Sequence, residues 1–294
     1  MCRFVAYIGK PIMMYDLLFK PKNSLINQSV KAHEAEEPLN GDGFGIGWYT
    51  PEANDMPGLF VSVRPAWNDR NLKYIAPKIV SDCMFAHVRA ASISPVNELN
   101  CHPFHYGNYL FMHNGDIEGF PKIKREMVRH LPENIYANIE GLTDSEHLFA
   151  LFLHQLEKQR SKDLPTKIAN ALEDAIVDVE EIKARLKVKE PSYINVCVTD
   201  GDTIVAVRYV SDLSLEAPTL YYSEGAAYTC ENGICRMKKS KNDFDKAVLI
   251  VSEKLTRYRS DWHEIPVNHM VTVNRKLEVN VSVIQRTLNT AAGF

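Results

Sequence analysis

An α+β fold is predicted for this chain of 294 residues, on two observations. Strand-like apolar runs come first, helical periodicities fill the middle, and strand-like runs return after Pro191. Segregated blocks of this kind build layered α+β structures, whereas alternating units would build a parallel sheet. No low-complexity linker or internal repeat breaks the order. A single domain over residues 2–294 is therefore expected, with candidate catalytic motifs in 2–147 and further strands in 192–283.

The elements follow in order. Arg3 to Ile8 is a short apolar run stopped by Gly9-Lys10-Pro11, which predicts a first strand. Phe44 to Tyr49 reads as a second strand after a turn at Asn40-Gly41-Asp42-Gly43, with Leu59 to Val63 as its partner. The glycines 41, 43, 45 and 47 leave one strand face bare, open to close backbone or ligand approach. Met84 to Val88 and Asn108 to Met112 are further strands, and Asn114-Gly115 then reads as a turn. Phe120 to His130 predicts a short helix. Thr143 to Glu146 matches a capping box, with Leu148, Phe149, Phe152, Leu153 and Leu156 following at helical spacing. Leu164 to Leu186 predicts a long amphipathic helix with Ile168, Leu172, Ile176 and Val179 on one face. Tyr193 to Val198 and Thr203 to Val210 flank the hairpin signal Asp200-Gly201-Asp202. Thr219 to Tyr222, Ala247 to Val251, His269 to Val273 and Leu277 to Val283 complete the strands.

Composition limits the function classes. A hydrophobic content of 45%, a charged content of 24% and a net charge of −3 describe an ordinary globular protein. They supply no electrostatic reason for nucleic acid or an anionic membrane as partner. No apolar run approaches the roughly 18 residues of a membrane span, and the N-terminal apolar stretch is too short for a secretory signal. A cytoplasmic protein is expected. The six cysteines form no C-x-x-C pair. Cys83 and Cys197 fit small buried hydrophobes in strands, and Cys230 and Cys235 bracket a candidate turn. No metal site and no cofactor are expected.

Four groups of residues carry chemistry. Removal of Met1 would leave Cys2 with both a thiol and a free α-amine. Their reference pKa values, about 8.5 and about 7.7–8.0, let the amine take the thiol proton without a histidine. In His113-Asn114-Gly115, the Asn114 amide and the Gly115 N–H are two donors able to meet one oxyanion. In the segment from His87 to Ser92, Arg89 offers a guanidinium suited to bidentate pairing with a carboxylate. Asp144, in the first turn of a helix, is either a dipole-stabilising acid or an acceptor for an ammonium.

Together these motifs resemble the type II, N-terminal-cysteine glutamine amidotransferase family. The matching pieces are Met1-Cys2-Arg3, Asn40 to Gly45, His87-Val88-Arg89, Asn100-Cys101-His102-Pro103, His113-Asn114-Gly115 and Thr143 to Glu146. The resemblance implies a four-layer αββα sandwich of the N-terminal-nucleophile hydrolase type. It implies Cys2 as nucleophile through a γ-glutamyl thioester, and Asn114 with Gly115 as oxyanion hole. It implies Arg89 on the substrate α-carboxylate, Asp144 on the α-ammonium, and His102 and Ser92 lining the site. No second synthase-like segment follows, so the chain is most similar to stand-alone members such as the glutathione-degradation amidotransferase subunit and the ergothioneine-pathway γ-glutamyl hydrolase. Ser252-Glu253 resembles a pair such members carry, and a plain strand end explains it equally well.

The leading expectation is an amidohydrolase of a small γ-glutamyl substrate. One alternative is an ammonia-donating subunit working with a synthase or peptidase partner. Another is a catalytically silent γ-glutamyl-binding protein.

Overall fold

The first strand, β1 (Arg3–Met13), buries neighbouring residues on opposite faces. Phe4, Ala6 and Ile8 point into one apolar cluster, while Val5 and Tyr7 point into another. A strand buried on both faces needs an unbroken apolar run, which is what Phe4 to Ile8 supplies. That double burial sets the architecture of the whole computed structural model, which describes residues 2–34, 37–91, 94–231, 233–239 and 246–285.

After β1 come α1 (Met14–Leu18), α2 (Leu25–Val30), the hairpin of β2 (Phe44–Thr50) and β3 (Asn54–Ser62), and α3 (Arg70–Ile75). Next are β4 (Val80–Val88), β5 (Phe104–Tyr106) and β6 (Tyr109–Ile117). The helices α4 (Phe120–Met127), α5 (Glu133–Tyr136), α6 (Asp144–Lys158) and α7 (Leu164–Arg185) follow. The chain then runs through β7 (Ser192–Thr199), β8 (Ile204–Val210), β9 (Tyr221–Gly225), β10 (Ala227–Glu231), β11 (Ile234–Lys238) and β12 (Ala247–Val251). It ends with β13 (His263–Glu264), β14 (His269–Val273) and β15 (Val279–Val283).

Two antiparallel sheets stack face to face. One has the order β13-β9-β12-β1-β4-β2-β3, the other β15-β14-β8-β7-β6-β5. Phe4, Phe85, Met112, Cys197 and Val271 belong to the cluster between them. Helices α1 to α3 pack Met14, Leu17, Leu25 and Leu72 on the outer face of the first sheet. Helices α4, α6 and α7 cover the second, where Phe111 stacks on Phe149 with ring centroids 4.9 Å apart. The layers are therefore α, β, β, α, as the resemblance implies.

The periodicities predicted for α6 and α7 hold: all five apolar residues expected on α6 and all four on α7 are buried. Gly45 of β2 has the close approach expected of the glycine run, since a Cβ there would lie 2.2 Å from the His102 carbonyl oxygen.

Two expectations change and a third gains a detail. β6 does not stop at Met112; it runs through His113, Asn114 and Gly115, each paired with β7, so Asn-Gly is strand and not turn. The ladder to β7 outweighs the local turn preference of the pair. The capping box is only half formed. Thr143 accepts the Glu146 N–H at 3.2 Å, but the Glu146 carboxylate binds the backbone N–H groups of Glu140 and Gly141 instead of returning to Thr143. Cys230 and Cys235 do bracket a turn, directly opposite each other on β10 and β11, and they are joined by a disulfide. Among the described residues no helix is long and apolar enough to cross a membrane, and no cluster of three or more His, Cys, Asp or Glu side chains is arranged to hold a metal ion.

Candidate active site

Cys2 immediately precedes β1, whose partner β4 ends at Val88 opposite Arg3. The thiol therefore meets the chain as it leaves β4: Sγ accepts the Ala90 N–H at 3.4 Å and lies 3.5 Å from the Ala90 carbonyl oxygen. Burial pushes the Cys2 thiol up, opposed by the Ala90 hydrogen bond and by the charges of Arg89 and Arg3. The resting group is thus a protonated thiol near neutral pH, and attack requires a base.

The strand behind Cys2 is anchored by a buried ion pair. Arg3 Nε lies 2.7 Å from Glu253 Oε1, and Arg3 Nη1 donates to the Cys2 carbonyl at 2.8 Å. Glu253 also accepts the backbone N–H groups of His33 and Glu34 at 3.0–3.1 Å. Burial alone would raise this carboxyl, but the two N–H donors and Arg3 together hold it below the usual range. Ser252 precedes it, with its Oγ accepting Phe4 N–H at 3.1 Å and Asn114 Nδ2–H at 3.3 Å.

Asn114 and Gly115 sit on β6 in the second sheet. Alternation along the strand turns Asn114 inward to Ser252 and His113 outward to α6. Asn114 is fully buried and its Oδ1 has no partner among the described residues. Gly115 is required by packing, because a Cβ would fall 1.9 Å from the Tyr193 carbonyl oxygen on β7. His113 Nε2 lies 3.2 Å from that same oxygen, and Nδ1 lies 2.9 Å from Ser145 Oγ. A carbonyl only accepts, so Nε2 carries the proton and the Ser145 hydroxyl donates to Nδ1. Burial depresses the His113 pKa, despite Asp144 nearby, which keeps this neutral form.

Arg89 is 3% exposed. Its guanidinium donates to Ser94 Oγ at 2.6 Å and to the Ser94 and Pro95 carbonyls at 3.3 Å, and no carboxylate pairs with it among the described residues. Its backbone is locked to the glycine segment: Arg89 N–H donates to the Gly43 carbonyl and Asp42 N–H to the Arg89 carbonyl. Ser94 and Pro95 form one wall of an open cleft of about 260 Å³, with Asp116, Asp144, Phe120 and Lys124 elsewhere on its lining. Asp144 accepts the Ile117 N–H at 2.8 Å, which ties the start of α6 to the end of β6. Asp116 is two residues beyond Asn114 and so on the same face of β6. Burial first, and then the Asp144 charge, push the Asp116 carboxyl up to about 6. Asp116 was not anticipated from the sequence; strand alternation from Asn114 would have found it only if β6 had been read through Gly115.

His102 is buried between the rings of His87, 4.2 Å away, and Phe104, 4.5 Å away. Neither of its ring nitrogens has a partner among the described residues, and burial holds it well below the ordinary histidine range. His87 is held at about 3 by burial, against the hydrogen bond from its Nε2 to the His113 carbonyl. Ser92 lies outside the described residues. Cys2, Arg89 and, through Ser252, Asn114 are thus brought together. Asp144 lines the same cleft as Ser94, and His102 is buried in the stack on His87.

Comparison with known proteins gives consistent results. The family model for glutamine amidotransferases class-II matches residues 22–291. The probable glutamine amidotransferase DUG3 of Saccharomyces cerevisiae is 38% identical, over 94% of this chain and 82% of its own length. The gamma-glutamyl-hercynylcysteine sulfoxide hydrolase of Mycobacterium tuberculosis is 25% identical over 94% of both chains. Among solved structures, a glutamine aminotransferase class-II domain protein from Silicibacter pomeroyi superposes with a TM-score of 0.65 at 26% identity, covering 96% of this chain and 99% of its own. The glutamine phosphoribosylpyrophosphate amidotransferase of B. subtilis shares the fold at a TM-score of 0.60 and 12% identity, over 97% of this chain and 49% of its own. Two stacked antiparallel sheets between helical layers, and relatives matched along nearly the full length, lead to one assignment: the chain belongs to the class-II glutamine amidotransferases, enzymes that act on amides.

Proposed function

We propose that this enzyme hydrolyses the γ-glutamyl amide bond of glutamine or a γ-glutamyl compound through a thioester on Cys2. The carrying observation is the buried Arg89 guanidinium, without a carboxylate partner among the described residues, on the residue next to Ala90, whose N–H binds the Cys2 thiol. An unpaired buried charge is costly, and a substrate carboxylate would satisfy it. Asp144, with Asp116 next to it, is the complementary acceptor for the substrate α-ammonium. His102 and Ser92 are read as lining residues with no chemical step.

Removal of Met1 frees the Cys2 α-amine, which takes the thiol proton as sulfur attacks the γ-carbonyl carbon. The negative charge on the carbonyl oxygen is received by Asn114 Nδ2–H and the Gly115 N–H. The protonated amine passes its proton to the leaving amine and the C–N bond breaks. Water, deprotonated by the same amine, then cleaves the thioester to glutamate and free thiol. No cofactor enters these steps. Residues 2–294 act as one catalytic domain in this reading. The M. tuberculosis relative is named as a hydrolase, which favours release of the product over delivery of ammonia to a synthase or peptidase partner. The proposal places the enzyme in the cytoplasm, where reducing conditions would oppose the Cys230–Cys235 disulfide.

The glutamyl reading is tested with truncated substrates. Glutamine is expected to be cleaved at least about 100-fold better, as kcat/KM, than N-acetylglutamine, which lacks the ammonium, or 4-aminobutanamide, which lacks the carboxylate. Equal rates on all three would remove Arg89 and Asp144 from substrate recognition.

A further inference from the structure

Ser252 follows β12 and is fully buried. Its backbone N–H donates to the Phe4 carbonyl at 3.1 Å, and its carbonyl accepts from Thr219 Oγ1 at 2.8 Å. These bonds would suffice to end the strand. The hydroxyl does more: Oγ accepts Phe4 N–H from β1 and Asn114 Nδ2–H from β6, bridging the two sheets. Phe4 is two residues from Cys2, and Asn114 carries the donor assigned above to the oxyanion. An Asn amide rotates freely unless held. Here Asn114 Oδ1 has no partner among the described residues, so the bond from Nδ2 to Ser252 is the side-chain restraint that remains. The next residue, Glu253, clamps Arg3, which in turn holds the Cys2 carbonyl.

We propose that Ser252 is a positioning residue for the reaction above, its hydroxyl holding the Asn114 amide at a fixed place relative to the Cys2 strand. The inference rests on the proposed role of Asn114 and extends it to a residue that touches no substrate. The geometry separates two kinds of chemistry at Cys2. Amide hydrolysis builds an oxyanion and needs Asn114 in place. Alkylation of the thiol by iodoacetamide builds none and does not.

The experiment compares wild type, Ser252→Ala, Asn114→Ala and the double variant in the mature enzyme. It reads kcat and KM on glutamine and the rate of Cys2 alkylation. Ser252→Ala is expected to lower kcat about 10- to 100-fold, less than the roughly 100- to 1000-fold of removing an oxyanion donor outright, with KM changed less than about 3-fold. Alkylation is expected to stay within about 2-fold, since it escapes the oxyanion requirement. Added to Asn114→Ala, the Ser252 substitution should lower kcat by less than about 3-fold more, because coupled residues are non-additive. Should the alanine variant not fold, Ser252→Cys keeps the size with a weaker acceptor and is expected to show the same split. Multiplying effects in the double variant, or alkylation falling in step with kcat, would overturn the proposal. Failure of the proposed reaction itself would show differently, as Cys2→Ala releasing glutamate at the wild-type rate.

Discussion

Arg3 and Glu253 are both about 1% exposed; they pair with each other, Arg3 also donates to the Cys2 carbonyl, and Glu253 also accepts the His33 and Glu34 N–H groups. Removing one charge of such a pair leaves the other stranded. Glu253→Gln is therefore expected to lower the unfolding free energy by about 3 kcal/mol in urea titration, and a change under about 0.5 kcal/mol would show that the pair is dispensable. At this scale the sequence was informative where chemistry forces a residue type. Cys2, Arg89, Asn114 and Asp144 could be proposed from the sequence because a thiol nucleophile, a guanidinium, an amide donor and a carboxylate each have few substitutes. Ser252 and Glu253 were ambiguous, because a Ser-Glu pair after an apolar run looks the same whether or not it meets Asn114 and Arg3. Their partners lie 138 and 250 residues away in sequence. Asp116 was hidden for another reason: its place in the cleft follows from a strand register and not from its own neighbours.

β6 is the element on which the site turns. It places His113 against α6, Asn114 against the first sheet and Gly115 against β7 within three residues. Gly115→Ala would drive a methyl into the Tyr193 carbonyl, so β6 and β7 must separate. Overpacking of this kind is expected to cost about 3 kcal/mol, read as a lowered urea midpoint, and it should lower activity through the displaced Gly115 N–H. A variant with wild-type stability and rate would show that the ladder yields there without consequence. The same element explains the main misreading of secondary structure. Asn-Gly favours turns locally, and only pairing with β7, some 80 residues on, makes it strand. The long helices were legible because α6 and α7 repeat their apolar residues over several turns. The short helices α1, α2, α3 and α5 were not anticipated; four to six residues hold too few turns to show a period.

Across the whole molecule, the buried histidines are held neutral. Burial holds His87 at about 3 and His147 at about 4, and it depresses His102 and His113 as well. An unfolded histidine titrates near 6.5. Between that value and the folded values the unfolded chain binds more protons, so stability is complete above about 6.5 and falls as pH falls. Asp116, raised to about 6, acts with the opposite sign, as do the raised carboxyls of Asp82, Glu146, Asp178 and Glu180, and together they offset part of the histidine contribution. The melting temperature is expected to drop clearly between pH 7.5 and pH 5.0 in scanning calorimetry. An equal or higher value at pH 5.0 would mean that these histidines are charged in the folded state. The layered α+β order was legible as blocks of strands and helices. The partition of the strands between two sheets was not, since β1 and β12 are neighbours in one sheet although almost the whole chain separates them.

The central claim is that the free N-terminal Cys2 is the nucleophile and its α-amine the base. It is tested by glutamate release from glutamine, measured for mature enzyme of mass-confirmed N-terminus, for Cys2→Ala, and for a form that retains Met1. Both altered forms are expected to lose at least about 1000-fold in kcat/KM while remaining folded. A Cys2→Ala enzyme as fast as wild type would contradict the nucleophile, and a fully active Met1-retaining form would contradict the base.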